Sequence, residues 1–80
     1  MFYTYIIESA KNGELYSGYT EDLQKRIKEH NQGLVKSTKA YRPYSLFYKE
    51  VFSSKTEARK REIEIKKKGQ EKEKIIRGYK

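Results

Sequence analysis

Five polar side chains in this chain of 80 residues have functional groups that suit phosphodiester hydrolysis: two phenols, a guanidinium, an imidazole and a carboxylate. They are Tyr5, Tyr16, Arg26, His30 and Glu62. The reaction needs a water that loses a proton, a stabilised trigonal-bipyramidal phosphate and a neutralised leaving oxygen. A hard divalent cation held by oxygen ligands can serve the last two needs. The set predicts metal-assisted attack on a phosphodiester, if the fold brings these groups together.

The best carboxylate for a metal is Glu62. Ala58 and Ile65 are seven residues apart and predict the core face of a helix, and Glu62 falls on that same face. A carboxylate that is buried without a partner is strongly destabilising. Glu62 therefore needs a metal, an ion pair with a nearby Arg or Lys, or an opening to solvent.

Arg26 and His30 are four residues apart, along one edge of a predicted helix. Arg26 can donate two hydrogen bonds to phosphate oxygens, although an ordinary surface arginine would look the same. His30 can share a proton with a phenol or bind phosphate, and its alternative is a packed ring. Since it is the only histidine, we do not expect a multi-histidine zinc site.

Tyr5 and Tyr16 lie in two predicted strands joined at Asn12-Gly13, a hairpin signal. A tight turn there would place Tyr16 opposite Ser9, whereas a looser loop would place it opposite Tyr5. Both registers leave the two phenols on one face of the sheet. The phenols could orient the attacking water, and either could be the base if a cation lowers its pKa. The alternative is aromatic packing.

The pattern of apolar residues and caps predicts the order β-β-α-β-α-α. We expect strands over residues 2–8, 15–19 and 44–52, with Leu46 and Val51 among the buried side chains of the third. A first helix should begin after Thr20 as N-cap and run to about residue 31. A capping box, Ser54 to Glu57, predicts a helix to about residue 68, and a short helix should follow over 71–79.

Composition limits the class of protein. Eighty residues predict one domain, 1–80. The absence of cysteine excludes a disulfide scaffold, a thiolate metal site and a thiol nucleophile. There is no phosphate-cradling glycine loop, so no nucleotide cofactor is expected. No apolar run could span a bilayer, so we expect no membrane partner and a cytoplasmic location.

Positive charge is concentrated late in the chain. Lys and Arg number 19 against 11 Asp and Glu, and residues 54–80 hold 11 of the basic and 5 of the acidic groups. This asymmetry favours a polyanion such as DNA, with RNA as an alternative, although solubility alone would also explain it. The expected nucleic-acid contacts are Lys55, Arg59, Lys60, Lys66 and Lys67.

The sequence resembles the GIY-YIG nuclease family, and most closely its small bacterial UPF0213 members. The two signature segments appear as Thr4-Tyr5-Ile6 and Tyr16-Ser17-Gly18. Residues 22–31 resemble the family's first-helix motif, and residues 60–67 resemble the helix that carries its metal-binding glutamate. The resemblance spans nearly the whole chain, with these elements in the family's order.

This resemblance implies an α/β (α+β) fold around a three-stranded antiparallel sheet, and DNA cleavage with one divalent metal. Glu62 would bind Mg²⁺ or Mn²⁺, and Arg26 would hold the scissile phosphate. Tyr5, Tyr16 and His30 fall at the family's other functional positions. We expect structure-guided or weakly selective cutting, in the setting of DNA repair or recombination, because the chain has no separate recognition domain.

Two other functions fit the same residues. The first is a nucleic-acid-binding module without turnover, since many family nucleases carry an asparagine beyond the glutamate and no asparagine follows Asn31 here. The second is a small adaptor that binds a larger protein. Salt-dependent binding without cutting would favour the module, and affinity retained at high salt would favour the adaptor.

Overall fold

A computed structural model describes residues 1–67, 75 and 77. Strand β1 (Phe2–Ser9) and strand β2 (Leu15–Thr20) precede helix α1 (Leu23–Asn31); strand β3 (Tyr44–Phe52) and helix α2 (Lys55–Lys67) follow. The strands form one antiparallel sheet in the order β2-β1-β3. The predicted α+β class is therefore confirmed. The helix predicted over 71–79 lies outside the described residues, apart from Ile75 and Arg77, which are helical.

The hairpin between β1 and β2 has neither of the two predicted registers. Tyr16 lies opposite Ile7, and Tyr5 lies opposite Gly18. The strands are joined by a five-residue loop over 10–14, in which Gly13 adopts the left-handed region at φ 74°. The prediction was wrong because Asn12 and Gly13 do not form a two-residue turn by themselves. The observed register differs from each predicted register by two residues. A shift of two keeps every side chain on its face of the sheet, so the two phenols share a face as predicted.

Helix α1 begins later than predicted. Its N-cap is Asp22, whose side chain accepts a hydrogen bond from the backbone N–H of Lys25 at 3.1 Å. Thr20, the predicted cap, instead accepts a hydrogen bond from the backbone N–H of Asp22 at 3.2 Å. The two residues compete as helix caps, and the Asp22 carboxylate also carries the charge that favours a helix N-terminus.

The sheet is packed on both faces. Tyr5 and Ile7 of β1 pack with Leu23 of α1 on one side. On the other side Ile6 packs with Ile65 of α2 and with Ile75. Alternation along the central strand therefore sends neighbouring side chains to opposite layers.

Helix α2 has the predicted start and the predicted core face. Ser54 Oγ accepts from the Glu57 backbone N–H at 3.2 Å, which is one half of the expected capping box. Ala58 and Ile65 are 0% and 1% exposed. The Thr4 hydroxyl donates to the Ala58 carbonyl at 2.7 Å and ties this helix to β1.

Strand β3 is less buried than the sequence suggested. Leu46 and Val51, both predicted in the core, are 41% and 50% exposed. They lie on the free outer strand of the sheet, where a side chain has a neighbouring strand on one side only. Phe47 and Tyr48 of the same strand do pack, against the Ile6 cluster. Among the described residues no helix is long and apolar enough to cross a bilayer.

Candidate active site

Tyr5 is held at the centre of the sheet, with 1% of its surface exposed. Its cross-strand partner is Gly18, and its ring lies over that glycine. A Cβ atom at position 18 would lie 2.6 Å from the Tyr5 phenol oxygen, closer than any ordinary contact. The glycine of the second signature therefore makes room for the tyrosine of the first.

His30, in the last turn of α1, is completely buried. Its Nε2 lies 3.0 Å from the Tyr5 phenol oxygen, and its Nδ1 lies 2.7 Å from the Thr38 hydroxyl. The rings of Tyr16 and Tyr44 pack against it, with centroids 5.4 and 6.1 Å away. Each ring nitrogen thus has a partner, and the imidazole has little freedom to turn.

The hydrogen-bond partners determine which nitrogen of His30 carries the proton. Burial, reinforced by the charge of Arg26 and opposed by Glu29, lowers the pKa of His30 to about 4, so the ring is neutral near pH 7. We assign the proton to Nδ1, because the Thr38 hydroxyl has the Val35 carbonyl as an acceptor at 3.4 Å and can therefore accept from His30 Nδ1–H. Since a neutral imidazole has one N–H, in this tautomer Nε2 accepts the phenol proton of Tyr5.

The phenol of Tyr5 interacts electrostatically with three of the other four predicted groups, namely Arg26, Tyr16 and Glu62. Burial raises the pKa of Tyr5, and the guanidinium of Arg26 offsets part of that shift through a hydrogen bond and its charge. The charges of Tyr16 and Glu62 raise this pKa further. Tyr5 is therefore a neutral phenol near pH 7, with its proton directed at His30.

Arg26 lies at the boundary between this buried network and solvent. Its side chain is 37% exposed, and its Nη1 donates to Glu29 Oε1 at 3.2 Å. It lines an open cleft of about 1020 Å³, which also includes Tyr3, Lys49 and Lys55. A guanidinium in this position can contact both the phenol and an anion that enters from the cleft.

Tyr16 is half-buried and connects two parts of the site. The Ser37 hydroxyl donates to its phenol oxygen at 3.3 Å, and its ring packs edge-on against His30. On another side, Lys66 Nζ lies 5.3 Å from the ring centroid, within cation–π range. Tyr16 therefore contacts the loop after α1 and also helix α2.

Glu62 reaches the same cluster from α2. Its side chain is 14% exposed, and its Oε1 lies 3.4 Å from Lys66 Nζ. The same lysine Nζ lies over the ring of Tyr16, so Glu62 is connected to the phenols through Lys66, and the charge of Glu62 also raises the pKa of Tyr5. All five predicted residues thus belong to one connected cluster, and Glu62 has the cationic partner that was one of its alternatives.

The oxygen atoms of this cluster are compatible with one hard divalent cation. Within residues 1–67, 75 and 77, no group of three or more histidine or acidic side chains is arranged to hold a metal. A site built on Glu62 would thus have one carboxylate, with water and substrate phosphate as the other ligands. Mg²⁺ and Mn²⁺ accept such a shell of oxygen atoms, so the residues present fit the expected ion.

The predicted nucleic-acid contacts fall into two groups. Lys66 lies against Tyr16, and Lys55 borders the cleft beside Arg26. Arg59, Lys60 and Lys67 are exposed on α2 and make no hydrogen bond or ion pair with the five-residue cluster in the described part of the chain. The first two are part of the site's surroundings, and the other three are on the adjoining surface.

Sequence reasoning missed three residues that contact the predicted site residues and hold them in place. Thr38, which contacts His30 Nδ1, and Ser37, which contacts Tyr16, both lie between the predicted first helix and the predicted third strand, where no helix or strand was predicted. Gly18 was assigned to the signature without its packing role. A hydroxyl residue in a loop is too common to indicate such a contact, so no signal in one sequence could have found the threonine or the serine.

Comparison with known proteins agrees with this geometry. Residues 1–75 match the family described as the GIY-YIG catalytic domain. A UPF0213 protein of Staphylococcus saprophyticus is 52% identical over 65 residues, which are 80% of this chain and 78% of that protein. A UPF0213 protein of Staphylococcus aureus is 45% identical over 65 residues, again 80% of this chain and 78% of that protein.

A solved structure is similar over most of its length. The solution NMR structure of a UPF0213 protein from Bacillus halodurans has a TM-score of 0.58 and 39% sequence identity. The similarity covers 95% of this chain and 83% of that one. On the family match and these relatives together, this chain belongs to the GIY-YIG family, within its UPF0213 group.

Proposed function

We propose that this protein is a divalent-metal-dependent DNA endonuclease that selects its substrate by DNA structure more than by sequence. The observation that carries the proposal is the Tyr5–His30 hydrogen bond, which lies next to a partly exposed arginine and in one cluster with Glu62. Branched or flapped DNA is the expected substrate class, in repair or recombination.

Arg26 is the proposed phosphate ligand. In the part of the chain that the structure describes, it is the one cation that both interacts with Tyr5 and lines the open cleft. Two hydrogen bonds from a guanidinium to the scissile phosphate would offset the charge that develops in the transition state. The exposed cations of α2 (Lys55, Arg59, Lys60, Lys66 and Lys67) would contact the flanking phosphates.

Tyr5 and Tyr16 would orient the attacking water. Of the two phenols, Tyr5 is the one that is hydrogen-bonded to a proton acceptor, His30. As Tyr5 oxygen takes a proton from water, its own proton can move to His30 Nε2, since that nitrogen already accepts it. The O–H bond of water breaks, a new phenol O–H forms, and the imidazole becomes positively charged. Arg26 and the buried surroundings oppose that charge, so the transfer would be brief.

Glu62 would hold the divalent cation, Mg²⁺ or Mn²⁺. When bound, the ion polarises the phosphate and neutralises the leaving oxygen. Glu62 would have to exchange its 3.4 Å contact with Lys66 for that role, and the lysine is 47% exposed and free to turn toward solvent. Tyr16 would then keep its contacts with Ser37 and His30.

The direct test is cleavage of flapped, branched and plain DNA by the pure protein with Mg²⁺ or Mn²⁺. We expect Glu62→Ala to lower the rate by about 100-fold or more, since loss of an outer-shell partner of a metal ligand alone typically costs about 10- to 100-fold, and Glu62 would be the ligand itself. Glu64→Ala is the matched control, because Glu64 is on the same helix, is half-exposed and pairs with Arg61. Equal rates for the wild type and Glu62→Ala would reject the assignment.

A second candidate is a DNA-binding module that does not cut. The Glu62–Lys66 ion pair favours it, because the carboxylate of the site already has a cationic partner. This function predicts salt-dependent DNA binding with no cleavage under any divalent metal. The same series of DNA substrates decides between the two functions.

A further inference from the structure

A second basic surface lies outside the candidate active site. A pocket of about 520 Å³ is lined by Lys11, Lys36, Lys39, Ala40 and Arg42. Four of these five residues are cationic and none is acidic. The charge balance along the chain conceals this surface, because residues 1–53 contain 8 basic and 6 acidic groups in total. Folding brings three cations of one loop beside a fourth from the β1–β2 turn.

Backbone contacts hold this basic pocket in shape. Arg42 Nη1 donates to the Lys39 carbonyl at 2.8 Å, and Lys11 Nζ donates to the Ala40 carbonyl at 3.3 Å. The Ser9 hydroxyl donates to the Tyr41 carbonyl at 2.6 Å and accepts from the backbone N–H of Lys11. The β1–β2 turn and the loop before β3 are thus tied together, and the cations are held near each other.

Among residues 1–67, 75 and 77, no acidic side chain forms an ion pair with these four cations. The ion pairs found among the described residues join other side chains, on α1, on α2 and between β3 and α2. Like charges in one pocket repel each other, and they raise the local concentration of anions. The pocket therefore has the electrostatics of a binding site for phosphate groups.

The same loop also reaches the candidate active site. Between Lys36 and Lys39 lie Ser37, which donates to the Tyr16 phenol at 3.3 Å, and Thr38, which contacts His30 Nδ1 at 2.7 Å. On another side of Tyr16 is Lys66 of α2. Tyr16 therefore lies between two cationic surfaces, the basic pocket on the loop and the row of cations on α2.

We propose that the basic pocket binds backbone phosphates of the nucleic acid whose scissile bond lies at the candidate active site. The substrate would then be held on the loop side by Lys11, Lys36, Lys39 and Arg42, as well as on the α2 side. This inference rests on the proposed function. It adds a phosphate-binding surface that the charge distribution along the sequence did not indicate.

The test is the salt dependence of DNA binding without divalent metal, measured by fluorescence anisotropy with a labelled flapped duplex. We expect Lys36→Gln/Lys39→Gln to weaken binding by roughly 10-fold and to reduce the slope of log K against log salt by about two, one for each lost phosphate contact. Lys28→Gln is the control, since Lys28 is exposed on α1 and lines neither the cleft nor the basic pocket. We expect its slope to fall by less than one.

Three results would overturn the inference. One is a double variant with the wild-type affinity and slope. Another is an equal loss in Lys28→Gln, which would indicate a general charge effect. The third is unchanged DNA binding with lost binding to phosphatidylserine vesicles, which would assign the pocket to a membrane surface. Cleavage by the wild type is measured separately. If the wild type cuts DNA and the double variant binds DNA as tightly as the wild type, this inference is refuted and the proposed function stands.

Discussion

The two halves of the candidate active site differ in how firmly the protein fixes them. On the sheet side, Tyr5, His30 and Thr38 are almost completely buried and joined by hydrogen bonds of 2.7 to 3.0 Å. On the helix side, Glu62 and Lys66 are partly exposed and joined by one contact of 3.4 Å. The first half is set by tertiary packing before any ligand arrives. The second half is held by one longer contact to an exposed lysine, so it can exchange partners more readily than the first.

This difference indicates that the buried half is suited to proton transfer and the partly exposed half to metal binding. A group that transfers a proton needs one orientation and one protonation state, and burial with full hydrogen bonding provides both. A group that binds a metal must be able to release its present partner, and an exposed ion pair permits that. Substitutions in the buried half should therefore change stability and chemistry together, whereas those in the exposed half should change metal binding with little effect on stability.

The largest expected effect is on the cleavage rate, and it distinguishes the roles of the two phenols. Tyr5→Phe removes the hydroxyl that donates to His30, and we expect the cleavage rate to fall by about 10²- to 10⁴-fold, the usual value of a proton-transfer group. Tyr16→Phe should cost less, because no described residue offers Tyr16 a proton acceptor comparable to His30. Single-turnover cleavage of flapped DNA measures both. A larger loss in Tyr16→Phe would assign the proton transfer to Tyr16.

The next effect is on stability. Thr38→Val removes the hydroxyl that accepts from His30 and leaves a buried N–H without a partner, at a cost of about 1–3 kcal/mol in the free energy of unfolding. Thr38→Ser keeps the hydroxyl and should retain the Nδ1–H tautomer, which ¹⁵N chemical shifts of the imidazole report directly. The same tautomer mixture in the wild type and in Thr38→Val would contradict the role assigned to Thr38.

The pH dependence of stability follows from the buried imidazole. The pKa of His30 falls from 6.5 in the unfolded chain to about 4 in the folded protein, through burial and the charge of Arg26, with Glu29 opposing. Between these values the unfolded chain binds the extra proton, so the contribution of His30 to stability is fully present above pH 6.5 and is lost as the pH falls toward 4. Denaturant unfolding of wild type and His30→Gln across this range isolates the effect, and parallel curves would contradict it.

The smallest expected effect is on the affinity for Mn²⁺ and concerns the partly exposed half, Glu62 and Lys66. Lys66→Met removes the partner of Glu62 and a positive charge near the proposed metal site, so Mn²⁺ should bind more tightly, by roughly 1.4- to 5-fold, the range of an exposed ion pair. Lys67→Met is the matched control, because Lys67 is the next residue on the helix and is equally exposed. Calorimetric titration measures both. Weaker Mn²⁺ binding in Lys66→Met would show that the lysine does not compete with the metal.

Elements whose signals are local were predictable. Strand β3 has the predicted bounds, and the capping box at Ser54 starts α2 where expected, because caps and periodicity act over a few neighbouring residues. Pairing between elements was less predictable. The hairpin register was wrong, since the loop adopted a five-residue form, and exposure on β3 was underestimated because the strand lies at the edge of the sheet.

The sequence by itself determined the kinds of group in the site, the elements that carry them and the shared face of the two phenols, since side-chain alternation in a strand is a local property. Only the tertiary structure decided that His30 is buried, neutral and tied to Thr38, and that Lys66 is placed between Glu62 and Tyr16. The reason is that a pKa and a hydrogen-bond direction depend on burial and on charges from distant parts of the chain.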